Sequence, residues 1–216
     1  MPSLIKGSQF IKGEVDLLRK IFSIVSTLLL LLLSGCANQK DTGLATISIN
    51  TDSEYVTTFE ELHLGILFDF DFKLNNADKN WVDLWVESYK DGKLESKSLI
   101  ALSYGLSPKK LEEGNIGLGI INADDKSLAF LYGPSVKATP QKIDKSQSVA
   151  SISGWEYAIG DETVKLELNE TYLLGVYRES KGNSIRTYDL QDENEVKKMI
   201  DDDHLVYLLK LKITEK

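Results

Sequence analysis

The sequence has one cysteine, Cys36, and only two histidines among its 216 residues. A single thiol excludes an intramolecular disulfide, so a folded domain must be stable through its core alone. The histidines, His63 and His204, have no neighbours at a zinc-ligand spacing, and the acidic triplet before His204 lacks the alternating ligands of a calcium loop. We therefore expect no metal and no cofactor, and the composition favours a protein that performs no chemistry.

Basic residues are also in the minority. The chain carries 25 Lys and Arg against 33 Asp and Glu, a formal charge of −8. An acidic surface is repelled by phosphate backbones and by anionic lipid headgroups. We expect no nucleic-acid partner, and any attachment to a membrane must come from something other than surface charge.

The only long apolar run lies near the N-terminus, at residues 21–33, directly after a basic pair at 19–20. It is shorter than the roughly 20 residues of a spanning helix. Small residues follow it, an order typical of a secretory signal peptide. The tetrapeptide Leu33-Ser34-Gly35-Cys36 resembles the lipobox of bacterial lipoproteins, in which a signal peptidase cuts before the cysteine and the thiol carries diacylglycerol.

This resemblance implies that Cys36 is the lipidated first residue and that Leu33, Ser34 and Gly35 are recognised by the peptidase. It divides the chain into a signal peptide at residues 1–35, a lipidated cysteine with a polar tether at 36–43 and one β-rich extracytoplasmic domain at 44–216. Acidic residues before position 19 suggest that translation starts further downstream. The protein is then anchored by lipid to the cell membrane, in a Gram-positive or a Gram-negative envelope.

Beyond residue 44 the dominant pattern is alternation, which is typical of strands. Phe68, Phe70 and Phe72 alternate with Asp69 and Asp71, which predicts a strand with one solvated side. The dipeptide at 91–92 predicts a tight hairpin over 81–104, and a second hairpin should join 116–122 to 128–132. Further strands are expected at 148–152, 155–159, 163–168, 171–178 and 184–190. This spacing predicts an antiparallel β-sandwich or a partly open barrel.

Two short helices are expected among the strands. Residues 107–114 begin with a Ser-Pro capping pair and end with glycine, and residues 192–202 have apolar positions at the helical period. The closing segment 205–213 is almost continuously apolar, which predicts a strand covered on both faces beneath the second helix. Glycines 114, 117 and 119 predict a strand packed closely against its neighbours.

Two sets of residues are candidates for function. Trp81, Trp85 and Tyr89 share one side of a strand, where they are either core packing or an exposed surface for an envelope protein, peptide or glycan. Asp69 and Asp71 point the same way and could serve a cell-envelope hydrolase as a carboxylate pair. A solvent-facing polar stripe explains the two aspartates more simply.

Four stretches of the chain resemble uncharacterised lipoproteins of Gram-positive bacteria: WVDLWV at 81–86, SYGLSP at 103–108, EGNIG at 113–117 and TYDL at 187–190. The resemblance covers most of the chain after Cys36. It implies a protein on the outer face of a single plasma membrane and carries no activity with it. The sequence as a whole therefore predicts a membrane-anchored, non-enzymatic binding module.

Overall fold

The computed structural model describes residues 43–123, 126–143 and 152–216. The predicted signal peptide, the lipobox and Cys36 lie outside the described residues, as do the tip of the second hairpin and nearly all of the strand expected at 148–152. The described chain forms, in order, β1 (Ala45–Ile49), α1 (Glu54–Glu61), β2 (Gly65–Asn75), β3 (Asn80–Lys90), β4 (Lys93–Gly105), β5 (Leu111–Ala123), β6 (Lys126–Gly133), β7 (Val136–Lys137), β8 (Gln141–Ile143), β9 (Ile152–Tyr157), β10 (Val164–Leu166), β11 (Thr171–Ser180), α2 (Glu193–Asp202) and β12 (Leu205–Glu215).

The described strands form two antiparallel sheets packed as a sandwich. One sheet has seven strands in the order β10-β1-β2-β5-β6-β7, with β8 also paired to β6. The other has five strands in the order β4-β3-β12-β11-β9. The prediction of a mainly β fold with short helices is confirmed, and its two sheets form an open sandwich and no closed barrel.

The core lies between the sheets and is built from one side of each strand. Phe68, Phe70 and Phe72 are buried there from β2, opposite Leu209 and Leu211 from β12. The sheets are in close contact where Phe68 lies against Gly175, since a Cβ at that glycine would come within 2.7 Å of the phenyl ring. Burial of large aromatic and aliphatic side chains is the main source of stability in such a domain without disulfides.

The hairpin predicted over 81–104 is confirmed as β3 and β4. Asp91 and Gly92 both have positive φ, 48° and 76°, as a type I′ turn requires. The second hairpin is also confirmed, although its first strand, β5, begins earlier than predicted.

The closing strand is covered on both faces, as predicted. It lies between β3 and β11 in mid-sheet. Leu209 and Leu211 face the main core, whereas Val206 and Leu208 lie beneath Met199 of α2 in a second apolar cluster. The helix predicted at 192–202 is confirmed, and the Asp192 side chain caps it by accepting a hydrogen bond from the Asn194 amide.

Two local predictions are wrong, and one helix was missed. Residues 107–110 are irregular and β5 starts at Leu111, because pairing with β2 supplies the backbone hydrogen bonds that a helix would have made. Residues 184–190 form no strand. The helix α1 was not predicted: Ser53 caps its N-terminus, but the helix has only eight residues, too few to show a clear helical period in the sequence.

Candidate functional site

The aromatic side chains of β3 lie on the outer side of the five-stranded sheet. The alternate residues, including Val82 and Leu84, are fully buried in the core, whereas Trp81, Trp85 and Tyr89 are half-buried. The strand therefore has one core-facing side and one outer, aromatic side, as its alternation predicts. Trp81 and Trp85 lie outside both apolar clusters without being fully exposed, whereas Tyr89 packs against the second cluster, beneath α2. We call these three residues the aromatic face.

Small residues flank the two tryptophans of the aromatic face on one side, and lysines lie on the other. Trp85 stands opposite the exposed Ala101 on β4 and opposite Lys210 on β12. The Lys216 ammonium lies 3.7 Å from the ring centroid of Trp81. A cation over an indole ring is attracted by the negative face of the π system. This face therefore combines aromatic surface with a cation that is already stacked on it.

Glu87 holds the middle of the aromatic face in place. Its Oε2 atom accepts hydrogen bonds from the Lys210 ammonium and from the Tyr89 hydroxyl, both at 2.8 Å. The Trp85 indole N–H lies 3.5 Å from Oε1. Burial acts to raise the pKa of Glu87, but the hydrogen bonds from Lys210 and Tyr89 and the lysine charge outweigh it and hold the pKa below 4.5. The Trp85 and Tyr89 side chains are thus oriented by a charged network.

Asp69 and Asp71 lie on the same outer side of β2, but their environments differ. Asp69 is fully buried and Asp71 is exposed, so the prediction of a solvated stripe is wrong at Asp69. The Asp69 Oδ2 atom accepts hydrogen bonds from Ser53 at 2.5 Å, Asn115 at 2.9 Å and Asn50 at 3.2 Å. Every donor is neutral. The arrangement joins the sheet to the residue that caps α1.

A tyrosine covers the other side of the Asp69 carboxylate. The Tyr132 hydroxyl lies 2.8 Å from Asp69 Oδ1 and 3.0 Å from the Phe68 carbonyl oxygen. Its ring lies over Gly117, where a Cβ would overlap the Phe68 carbonyl and the tyrosine ring. Glycine is needed here for close approach, as the glycines of β5 predicted. These contacts position Asp69 as a structural centre and not as one half of an exposed carboxylate pair.

The acidic triplet before His204 lines a charged cleft of about 470 Å³. Asp202 contacts the Arg186 guanidinium at 3.2 Å and the Tyr188 hydroxyl at 2.7 Å. At the cleft edge the Asp91 carboxylate lies 2.7 Å from His204 Nδ1. The hydrogen bond from His204, together with one from a nearby lysine, lowers the pKa of Asp91 to about 2.

The third aspartate of the triplet faces inward. Asp203 is buried beside Arg178, whose Nη1 atom is 3.2 Å from its Oδ2. Burial raises the pKa of Asp203, and the nearby guanidinium only partly opposes this effect. Arg178 also donates to the Arg186 carbonyl oxygen and lies 5.2 Å over the Tyr188 ring. Two acids of the triplet, Asp202 and Asp203, are therefore paired with the protein's own arginines.

A second cleft, which the sequence did not predict, lies at one end of the sandwich. Its volume is about 460 Å³. It lies between the end of β4, the start of β5 and the turn after β6, and it includes the irregular residues 106–109. We call it the end cleft. Ser107 accepts a hydrogen bond from the Lys109 amide at 3.3 Å. The end cleft could not be predicted because its walls come from segments whose proximity depends on sheet packing.

Neither a metal centre nor a membrane span is seen in the described part of the chain. Among the described residues, no group of three or more His, Cys, Asp or Glu side chains is arranged to hold a metal ion. No helix in the same residues is long and apolar enough to cross a membrane. His63, exposed and at positive φ, is part of the turn that follows α1.

The chain was compared with known protein families, curated proteins and solved structures. The family model for the YgaN domain matches residues 57–213, which takes in β2, both long hairpins, α2 and most of β12. No curated protein and no solved structure matches the chain. The match covers most of the sequence and nearly all of the folded domain, so this chain belongs to the YgaN domain family.

Proposed function

We propose that this YgaN-domain protein is a membrane-tethered, extracytoplasmic binding module that presents its aromatic face to a protein partner. The main observation in support is that Trp81 and Trp85 are held half-buried on the outer side of the five-stranded sheet. Tryptophan and tyrosine are the residue types most enriched where binding energy concentrates at protein interfaces. A tethered protein with a rigid aromatic surface is suited to capturing a neighbour at the same membrane.

Preorganisation supports this proposal. The charged network around Glu87 fixes the aromatic side chains, so less side-chain entropy is lost on binding. The exposed Ala101 beside Trp85 leaves room for a partner to contact the indole. The alternative of a hydrolase that uses Asp69 and Asp71 has no comparable support, because Asp69 is buried among neutral donors.

The tether rests on the lipobox. Lipidation of Cys36 by diacylglycerol, with cleavage after Gly35, accounts for the order of basic, apolar and small residues in the leader. Two acyl chains are sufficient for stable attachment where one is marginal. Metabolic labelling with an alkyne fatty acid tests this: the wild-type protein should carry label and fractionate with membranes, and Cys36→Ala should lose both properties. Label retained by Cys36→Ala would contradict the anchor.

Crosslinking in intact cells tests the binding surface. Wild-type protein and Trp85→Ala are compared by mass spectrometry of captured proteins. Trp155→Ala is the matched control, since Trp155 is 42% exposed on another strand, away from the aromatic face. We expect a reproducible protein partner with wild type and the control and its loss with Trp85→Ala. Equal capture by the wild type and both variants would refute the aromatic face as the binding surface. Binding to glycans on an array, without capture of a protein, would identify the partner as a glycan.

A further inference from the structure

The end cleft contains two buried polar groups that face inward from opposite sheets. Tyr104 is on β4 and Glu112 is on β5, and each follows the core-facing alternation of its strand. Tyr104 is 9% exposed and Glu112 is 8% exposed. Both residues line the cleft. The cleft therefore exposes the boundary between the two sheets to solvent at a point where the core is polar.

The Tyr104 hydroxyl has no hydrogen-bond partner among the described residues. Its ring edge lies against Gly133, where a Cβ would come within 3.0 Å of the phenol oxygen. A buried hydroxyl without a partner is costly because it has given up its hydrogen bonds to water. Burial and the nearby Glu112 charge raise the pKa of Tyr104, so the phenol is neutral and can both donate and accept.

The Glu112 carboxylate lacks a cationic partner. It accepts a hydrogen bond from the Ser135 hydroxyl at 2.5 Å. No ion pair in the described part of the chain includes it, although Lys109 lines the rim of the same cleft. A buried carboxylate is normally paired with a cation. The cleft thus holds one uncompensated negative charge and one unused hydroxyl.

We propose that the end cleft binds an organic ammonium group, which donates to Glu112 and to the phenol oxygen of Tyr104. An ammonium has three N–H donors, enough to satisfy both groups and a third oxygen. The methylene stem that carries it can lie against Leu106, Leu111 and Pro134, which line the cleft beside the polar groups. A free alkylamine and a lysine side chain share this chemistry.

Other ligand types fit the cleft less well. A carboxylate or phosphate would be repelled by Glu112 and by the neighbouring Glu113. A neutral hydroxyl would satisfy Tyr104 but leave the buried charge uncompensated. The end cleft shares no lining residue with the aromatic face, although Trp81 packs against Gly105, which lines the cleft. The observations on Tyr104 and Glu112 do not involve the aromatic side chains, so the two proposals can fail independently.

Titration followed by amide NMR of the full chain tests the proposal. The probes are 1,5-diaminopentane, Nα-acetyl-lysine methylamide and the neutral isostere Nα-acetyl-norleucine methylamide. We expect saturable shifts at residues 105–113 with one or both amines and none with the norleucine compound. Preference for the lysine derivative identifies a protein source, and preference for the diamine identifies a free amine. Absence of saturable shifts, or equal binding of norleucine, overturns the proposal.

Two variants locate the contacts. Glu112→Gln should weaken amine binding by at least about tenfold, the loss expected for one charge-assisted hydrogen bond. Glu113→Gln is the matched control: it removes the same charge from an exposed neighbour and should change the dissociation constant by less than about threefold. If Glu112→Gln does not fold, Tyr104→Phe serves instead and should weaken binding about threefold or more. Wild-type affinity in the folded variants overturns the proposal.

Discussion

Replacing Asp69 by alanine should destabilise the domain severely, although the residue is a charged aspartate on the outer side of a sheet. Its carboxylate accepts hydrogen bonds from Ser53, Asn115, Asn50 and Tyr132. Alanine would leave the buried Ser53 hydroxyl and the half-buried side-chain amides of Asn50 and Asn115 without this acceptor. A buried donor without a partner costs about 1 to 3 kcal/mol, and a half-buried one costs less because water can reach it. Ser53 would also lose the acceptor that orients its hydroxyl oxygen toward the Val56 amide. We therefore expect a total loss of about 3 to 5 kcal/mol.

Urea unfolding followed by tryptophan fluorescence measures this loss. Asp71→Ala is the matched control because it removes the same side chain from the same side of β2, where it is exposed. The control should change the free energy of unfolding by no more than about 0.5 kcal/mol. The Val56 amide and its neighbours in α1 should exchange faster with solvent in Asp69→Ala. A loss below about 1 kcal/mol, or equal effects of the two variants, would refute the structural role of Asp69.

Three further results are expected. Arg178→Leu should cost about 3 to 5 kcal/mol in urea unfolding because it leaves Asp203 buried without its cation, whereas the exposed Arg186→Leu should cost little. Because the folded pKa of Glu87 is lowered, its contribution to stability is present above pH 4.5 and is lost as the pH falls below that value. Glu87→Gln should flatten the dependence of unfolding free energy on pH in that acidic range, and an unchanged slope would contradict the network. Gly117→Ala should lower the free energy of unfolding by about 1 to 3 kcal/mol through overpacking, which lowers Tm by about 2 to 4 °C per kcal/mol. An unchanged Tm would contradict the close packing of Tyr132 over this glycine.

The strands and the tight turn between β3 and β4 were predictable because both depend on residues that are close together in the sequence. The Asp91 turn needs two residues that tolerate positive φ, and the flanking alternation predicts which side chains of each strand share a face. The closing strand could be placed in mid-sheet because continuous apolarity requires cover on both sides. The helix that provides the cover was predictable from the helical period of its own apolar residues.

The errors arise where distant pairing overrides local preference. Residues 107–114 have the signals of a helix, but the partner strand β2 competes for the backbone of their second half. Asp69 has the pattern of a solvated residue, yet Tyr132, which is distant in sequence, and the residues around the α1 cap bury it. The burial of Asp69 could not be predicted from the residues next to it, because its partners are distant in the sequence.

The sequence by itself determined a mainly antiparallel β fold, its hairpins, the doubly covered final strand and the aromatic alternation of β3, and the structure decided for a sandwich over a partly open barrel. Only the tertiary structure decided which outer faces are exposed to solvent, and that Asp69 is buried while Asp71 is exposed. It also decided that Tyr104 and Glu112 line the same cleft at one end of the sandwich. The physical reason is that periodicity records the side of a strand that each residue occupies. What covers that side depends on which distant strand, helix or loop packs against it.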